Sequence, residues 1–112
     1  MNNQAGSETV QELRMTEQQH QQLLMQKQQF QFEQNQVTNA INEVKKSEGN
    51  VFKVISGALI KIKKPELLKE LEEKNKALSL RIESVEKQEK LIDDKMDSLQ
   101  KELRNIIAKE KK

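Results

Sequence analysis

The sequence has no cysteine, tryptophan or tyrosine, a single proline and three glycines. Without thiols there can be no disulfides and no cysteine-based metal site, which fits a reducing compartment. His20 is the sole histidine, so a zinc-type site has no donor set. Gly6, Gly49 and Gly57 stand apart from one another, and no phosphate-cradling loop can be built from them. Neither charge dominates: 20 basic and 18 acidic residues leave a net +2. The signs are interleaved, as in Lys69-Glu70, Glu72-Glu73-Lys74 and Asp93-Asp94-Lys95. No basic face results, and no nucleic-acid partner is expected. No apolar run is long enough to span a membrane, and the N-terminus lacks the apolar core of a signal peptide. The expected setting is cytoplasmic, with no membrane partner.

Hydrophobic residues make up 34% of the chain, as do charged residues, and 3% are aromatic. That balance is too dilute for a compact globule. It suits long helices or a coiled coil, and equally a disordered chain.

Periodicity separates the two. Leu68, Leu71, Asn75, Leu78, Ile82, Val85, Glu89, Ile92, Met96, Leu99, Leu103 and Ile106 step alternately by three and four, and ten of these twelve are apolar. This is the a/d seam of a heptad repeat, a stripe that must lie against another helix. The partner is found upstream. Residues 10–46 contain no proline or glycine and eleven glutamines. Leu23, Phe30, Val37 and Val44 recur every seven residues, while Leu13, His20, Lys27, Gln34 and Ile41 fill the other track, three of them polar. A looser pairing is expected there. The glutamine clusters read either as a solvated helix face or as low-complexity sequence; recurring apolar anchors favour the helix. Asn75 and Glu89 interrupt the second seam, either as water-exposed layers or as polar layers that set the register.

The chain therefore divides into a flexible N-terminus at 1–9, a first helix at 10–47, a β-hairpin at 50–63 and a second helix at 65–109. Ser7 or Thr9 can cap the first helix. Lys45 and Lys46 suit its C-terminal end, and Gly49 can close it in a left-handed conformation. Val51-Phe52-Lys53-Val54-Ile55 and Leu59-Ile60-Lys61-Ile62 read as strands around Ser56-Gly57-Ala58, with Gly57 supplying the positive φ of a tight turn. Pro65 then opens the second helix. A short connection returns the helices antiparallel. The fold class is mainly α: an antiparallel two-helix coiled-coil hairpin with one β-hairpin between the helices. Two strands alone are marginal in water, and these are apolar on both faces. They can pack on the helix ends or pair with strands of another subunit, and free apolar edges favour the second.

This order resembles the β class of the prefoldin family over residues 13–106. The most specific part is Asn50 through Ile62, similar to the family's Val-Tyr/Phe-Lys strand, glycine-containing turn and Leu-Ile/Val-Lys/Arg strand. Leu80-Arg81-Ile82-Glu83 and Glu86-Lys87-Gln88-Glu89 also resemble its second helix. One hairpin points to the β class, since the α class has two. The resemblance implies an ATP-independent chaperone subunit, without cofactor or metal, in a hexamer of two α and four β subunits. It would hold unfolded proteins and pass them to a group II chaperonin. Val51, Phe52, Val54, Ile55, Leu59, Ile60 and Ile62 would form the assembly surface. The tip would combine Val10, Leu13 and Met15 with Leu103, Ile106 and Ile107, with Met15 and Ile107 the more available for clients and Leu103 and Ile106 mainly packing. No catalytic constellation is visible: Asp93-Asp94 suits a solvated face, and Ser56 and His20 have no partners for nucleophilic chemistry. The alternative is a structural or adaptor coiled coil that oligomerises without chaperone activity.

Overall fold

The computed structural model describes residues 4–110. Helix α1 (Gln4–Lys46) is followed by strands β1 (Val51–Ile55) and β2 (Ala58–Ile62) and by helix α2 (Lys64–Glu110). This is the expected fold, two long helices with an antiparallel β-hairpin between them. The chain divides into two units. One joins residues 4–27 with residues 84–110; the other is residues 28–83.

All twelve seam positions of α2 are buried or half-buried, and between Leu68 and Ile106 every other residue is exposed. In α1 the two tracks form one seam that reaches further back than expected, adding Gly6, Thr9 and Thr16. α1 begins at Gln4 rather than at residue 10, so residues 4–9 belong to the helix; residues 1–3 lie outside the described residues. Neither Ser7 nor Thr9 is a cap, because both lie inside the helix. Thr9 and Thr16 are buried, and each hydroxyl donates to the carbonyl four residues back, Thr9 Oγ1 to Ala5 O and Thr16 Oγ1 to Glu12 O, both at 2.8 Å. A hydroxyl satisfied within its own helix can be buried at little cost, so threonine fits where a valine would.

In the first unit polar and ionic contacts join the helices along an antiparallel course. Lys95 approaches Glu12 at 3.5 Å, His20 approaches Asp93 at 3.3 Å, and Lys27 donates to Glu89 at 3.0 Å with Glu86 at 3.8 Å. In the second unit Val37, Ile41 and Leu78 form the core, flanked by Phe30, Leu68 and Leu71. The Arg81 guanidinium lies 5.8 Å from the centre of the Phe30 ring, a cation–π contact covering a half-buried aromatic. Gln34 Nε2 donates to Ser79 Oγ at 2.6 Å and to the Asn75 carbonyl at 3.4 Å. The three polar seam residues of α1, His20, Lys27 and Gln34, thus each meet a polar group of α2. Where looseness was expected, hydrogen bonds and ion pairs fix the register.

The end of α1 also differs. Gly49 does not close it, since Gly57 is the glycine with positive φ among the described residues. Instead the Lys64 ammonium donates to the carbonyls of Lys45 (3.0 Å) and Ser47 (2.9 Å). These carbonyls lack helical partners, and a cation there meets the negative end of the helix dipole. The cation belongs to the first residue of α2 and ties the two helices beneath the β-hairpin.

Candidate functional site

The hairpin turn uses two residues. Ser56 (φ 49°) and Gly57 (φ 82°) are both left-handed, the pattern of a type I′ turn, whose twist matches that of paired strands. Ala58, expected in the turn, opens β2 instead, and the register is Val51↔Ile62, Phe52↔Lys61, Lys53↔Ile60, Val54↔Leu59 and Ile55↔Ala58.

Side chains alternate across the sheet, so this register sorts them into two faces. Val51, Lys53, Ile55, Ala58, Ile60 and Ile62 share one. Its open end is anchored within the chain: Val51 is 8% exposed, Ile62 is half-buried, and Lys53 bridges to Glu70 of α2 at 2.7 Å. Towards the turn this face opens, leaving Ile55 and Ile60 exposed. Phe52, Val54, Leu59 and Lys61 form the other face, which is exposed throughout, with Leu59 at 72%.

One end of the expected assembly surface is thus covered within the chain. Val51 is buried within its own chain, and Ile62 opposite is half-buried. Phe52, Val54, Ile55, Leu59 and Ile60 remain exposed. The backbone adds to this. In a hairpin closed by a two-residue turn, Ile55–Ala58, Lys53–Ile60 and Val51–Ile62 exchange the inter-strand hydrogen bonds. Phe52, Val54, Leu59 and Lys61 therefore direct their N–H and C=O groups outward. The sheet has two strands, so both edges are open. The residues with the bare apolar face are also those with unpaired backbone.

The terminal ends of the helices carry the second predicted set. Val10, Leu103, Ile106 and Ile107 line one open groove of about 660 Å³, with Gly6 on its wall and Arg14 and Glu110 among its charged neighbours. Val10, Leu103 and Ile106 are half-buried, while Ile107 is exposed. Leu13 faces the seam and does not line the groove. Met15 is exposed at 57% but lies outside it. Four of the six expected residues are therefore brought together. The role of Gly6 was not legible, since an isolated glycine near a chain end reads as a helix breaker.

Lys27 is the described group whose titration the fold displaces. Its hydrogen bond to Glu89 holds the ammonium above the ordinary lysine value of 10.5; burial pulls it down, and the charges of Glu89 and Glu86 raise it further. Among the described residues no cluster of acidic, histidine or cysteine side chains could hold a metal ion, and no helix is long and apolar enough to cross a membrane.

A family model described as prefoldin subunit matches residues 7–110. The chain belongs to the prefoldin subunit family. It is 31% identical over 97 residues to the prefoldin subunit beta of Methanospirillum hungatei, covering 85% of this chain and 81% of the relative. To the prefoldin subunit beta of Thermococcus onnurineus it is 32% identical over 93 residues, covering 81% and 80%. The crystal structure of the prefoldin beta subunit from Thermococcus strain KS-1 superposes with a TM-score of 0.87 at 26% identity, over 91% of each chain. The prefoldin beta2 subunit of the same strain shares the fold, with a TM-score of 0.71 over 80% of this chain and 97% of that one. Prefoldin subunits assemble with one another into oligomers, and membership implies a chaperone-type function.

Proposed function

We propose that this prefoldin subunit is a β-class component of a cytoplasmic, ATP-independent chaperone of two α and four β subunits. It acts by binding alone, without catalysis or cofactor. It holds unfolded proteins and delivers them to a group II chaperonin. The observation that carries this reading is the coincidence at Phe52, Val54 and Leu59 of an uncovered apolar face with outward-directed backbone groups. A strand from another subunit would pair the one while its neighbours cover the other. Client contact is assigned to the terminal groove, with Val10, Leu103 and Ile106 as its half-covered wall and Ile107 as its exposed lip. Leu13 supports it from the seam, and Met15 adds a flexible apolar contact nearby. Weak contacts from several subunits sum through multivalency.

The test is to mix the chain with an α-class prefoldin subunit, measure the mass of the assembly, and follow the aggregation of a protein diluted from denaturant without ATP. A hexamer that suppresses aggregation, and whose held protein refolds when a group II chaperonin and ATP are added, is the expected result. Removing residues 1–14 and 104–112 should leave the assembly intact and abolish protection. Assembly without protection by the full chain would instead identify an adaptor coiled coil.

A further inference from the structure

A second groove lies along the arm, in the same unit as the terminal groove but sharing none of its residues. It encloses about 390 Å³ between Gln19, Gln22, Leu23 and Gln26 of α1 and Gln88, Leu91 and Ile92 of α2. Leu23 and Ile92 are half-buried seam residues and form the floor. Leu91, on the rim, is 70% exposed.

The charge pattern of this edge sets the groove apart. Glu12 and Lys95 form an ion pair across the helices at 3.5 Å. One heptad along, at the corresponding places, stand Gln19 and Gln88. Where the repeat would place another ion pair over the floor, two amides leave the edge neutral. Gln22 and Gln26 extend the amide rim, and between residues 18 and 42 the charged residues are only Lys27 and Glu33. Lys27 is occupied in the seam with Glu89. Among the described residues the side-chain amides of Gln19, Gln22 and Gln26 have no hydrogen-bond partner, and Gln88 Nε2 donates to Ser84 Oγ at a long 3.5 Å.

We propose that this groove is a subsite for an extended, uncharged polypeptide segment, which sets one apolar side chain over Leu23 and Ile92 against Leu91. A glutamine amide both donates and accepts, as a peptide unit does. Gln22 and Gln26 are one helical turn apart, a rise of about 6.0 Å. Successive outward-facing peptide units of an extended strand repeat every ~6.8 Å, within reach of flexible side chains. A helical occupant has its backbone groups already paired and would leave the amide rim without purpose. A charged segment would have to be desolvated against the amides of the rim, which offer it no counter-charge. The inference rests on the chaperone function proposed above and adds to it: clients are held at a backbone-reading neutral site as well as at the terminal groove.

The probe is a short, labelled peptide of alternating serine and leucine, titrated into the full chain and followed by fluorescence anisotropy. Binding should be insensitive to salt, since no charge is involved. The pair Leu91→Lys with Gln88→Lys, both at exposed positions, should weaken it about tenfold or more. Gln22→Ala, which preserves helix propensity, should weaken it in the same direction if the paired variant loses helicity. A helix-locked peptide of similar apolarity should bind about tenfold more weakly. Unchanged affinity in the Leu91 and Gln22 variants, or equal binding of the helical peptide, would each overturn the proposal. Peptide binding without aggregation suppression would remove the chaperone function and leave the subsite standing; suppression without peptide binding would do the reverse.

Discussion

Lys27 of α1 and Glu89 of α2 face each other from seam positions and are joined by a 3.0 Å hydrogen bond, with Glu89 only 15% exposed. Removing one partner is a different experiment from removing both. Glu89→Leu leaves the Lys27 ammonium in the seam without its closest counter-charge, and the melting temperature should fall. Lys27→Leu with Glu89→Leu replaces the layer with an ordinary apolar a/d contact and should melt above the parent. Thermal unfolding followed by circular dichroism checks both. A double variant that melts below the parent would show that the pair contributes net stability.

The same pair predicts an alkaline limb. The Glu89 hydrogen bond raises the Lys27 pKa above 10.5, so the folded chain binds this proton more tightly than the unfolded chain does. Its stabilisation is complete below the unfolded value and is lost as pH rises through the raised one. Between pH 9 and pH 12, the parent should lose more stability than a Lys27→Met variant. Parallel losses in the two proteins would show that the proton is not held by the fold.

Gly57 has nothing within 4 Å of the place a Cβ would occupy, yet its φ is 82°. The cost of Gly57→Ala is therefore conformational rather than steric, on the order of 1–2 kcal/mol. Amide exchange in the β1–β2 ladder should quicken roughly 5–30-fold, while the exchange of α1 and α2 stays unchanged.

Val51 and Phe52 are adjacent in sequence but act on opposite sides of the strand. Val51→Ala should lower stability by about 1.5 kcal/mol, two methylene equivalents of buried surface, and leave assembly intact. Phe52→Glu, at an exposed site, should leave helicity unchanged and reduce the assembly to smaller species in sizing chromatography. An unchanged assembly would remove the exposed hairpin face from the interface.

Much of this organisation can be read from the residues. The apolar beat from Leu68 to Ile106 is strong enough to define the α2 seam position by position, because aliphatic side chains report burial directly. The N-terminal part of α1 is less legible. Thr9 and Thr16 look like caps or surface residues, and only a helix already in place shows that their hydroxyls can turn back to Ala5 and Glu12. The close of α1 could not be foreseen for a related reason: the cation that serves it, Lys64, is 17 residues beyond the Ser47 carbonyl it reaches. The hairpin was recognisable from its β-branched runs. Which apolar residues stay bare depended on one residue of register, fixed by Ser56 entering a left-handed conformation.

The small side chains at the start of the α1 seam have a mechanical consequence. Gly6 meets Ile106, with 3.6 Å between its notional Cβ and that side chain, and Thr9 and Thr16 occupy places that leucine or isoleucine fill elsewhere. Each such layer withdraws less hydrocarbon from water than an aliphatic layer does. The first turns of α1 can thus peel from α2 for a small expenditure of work, uncovering Leu103 and Ile106 as they part. The hydrogen-bonded layer at Lys27 and Glu89 is where such peeling meets resistance. The helix pair can therefore open from its terminal end as far as that layer.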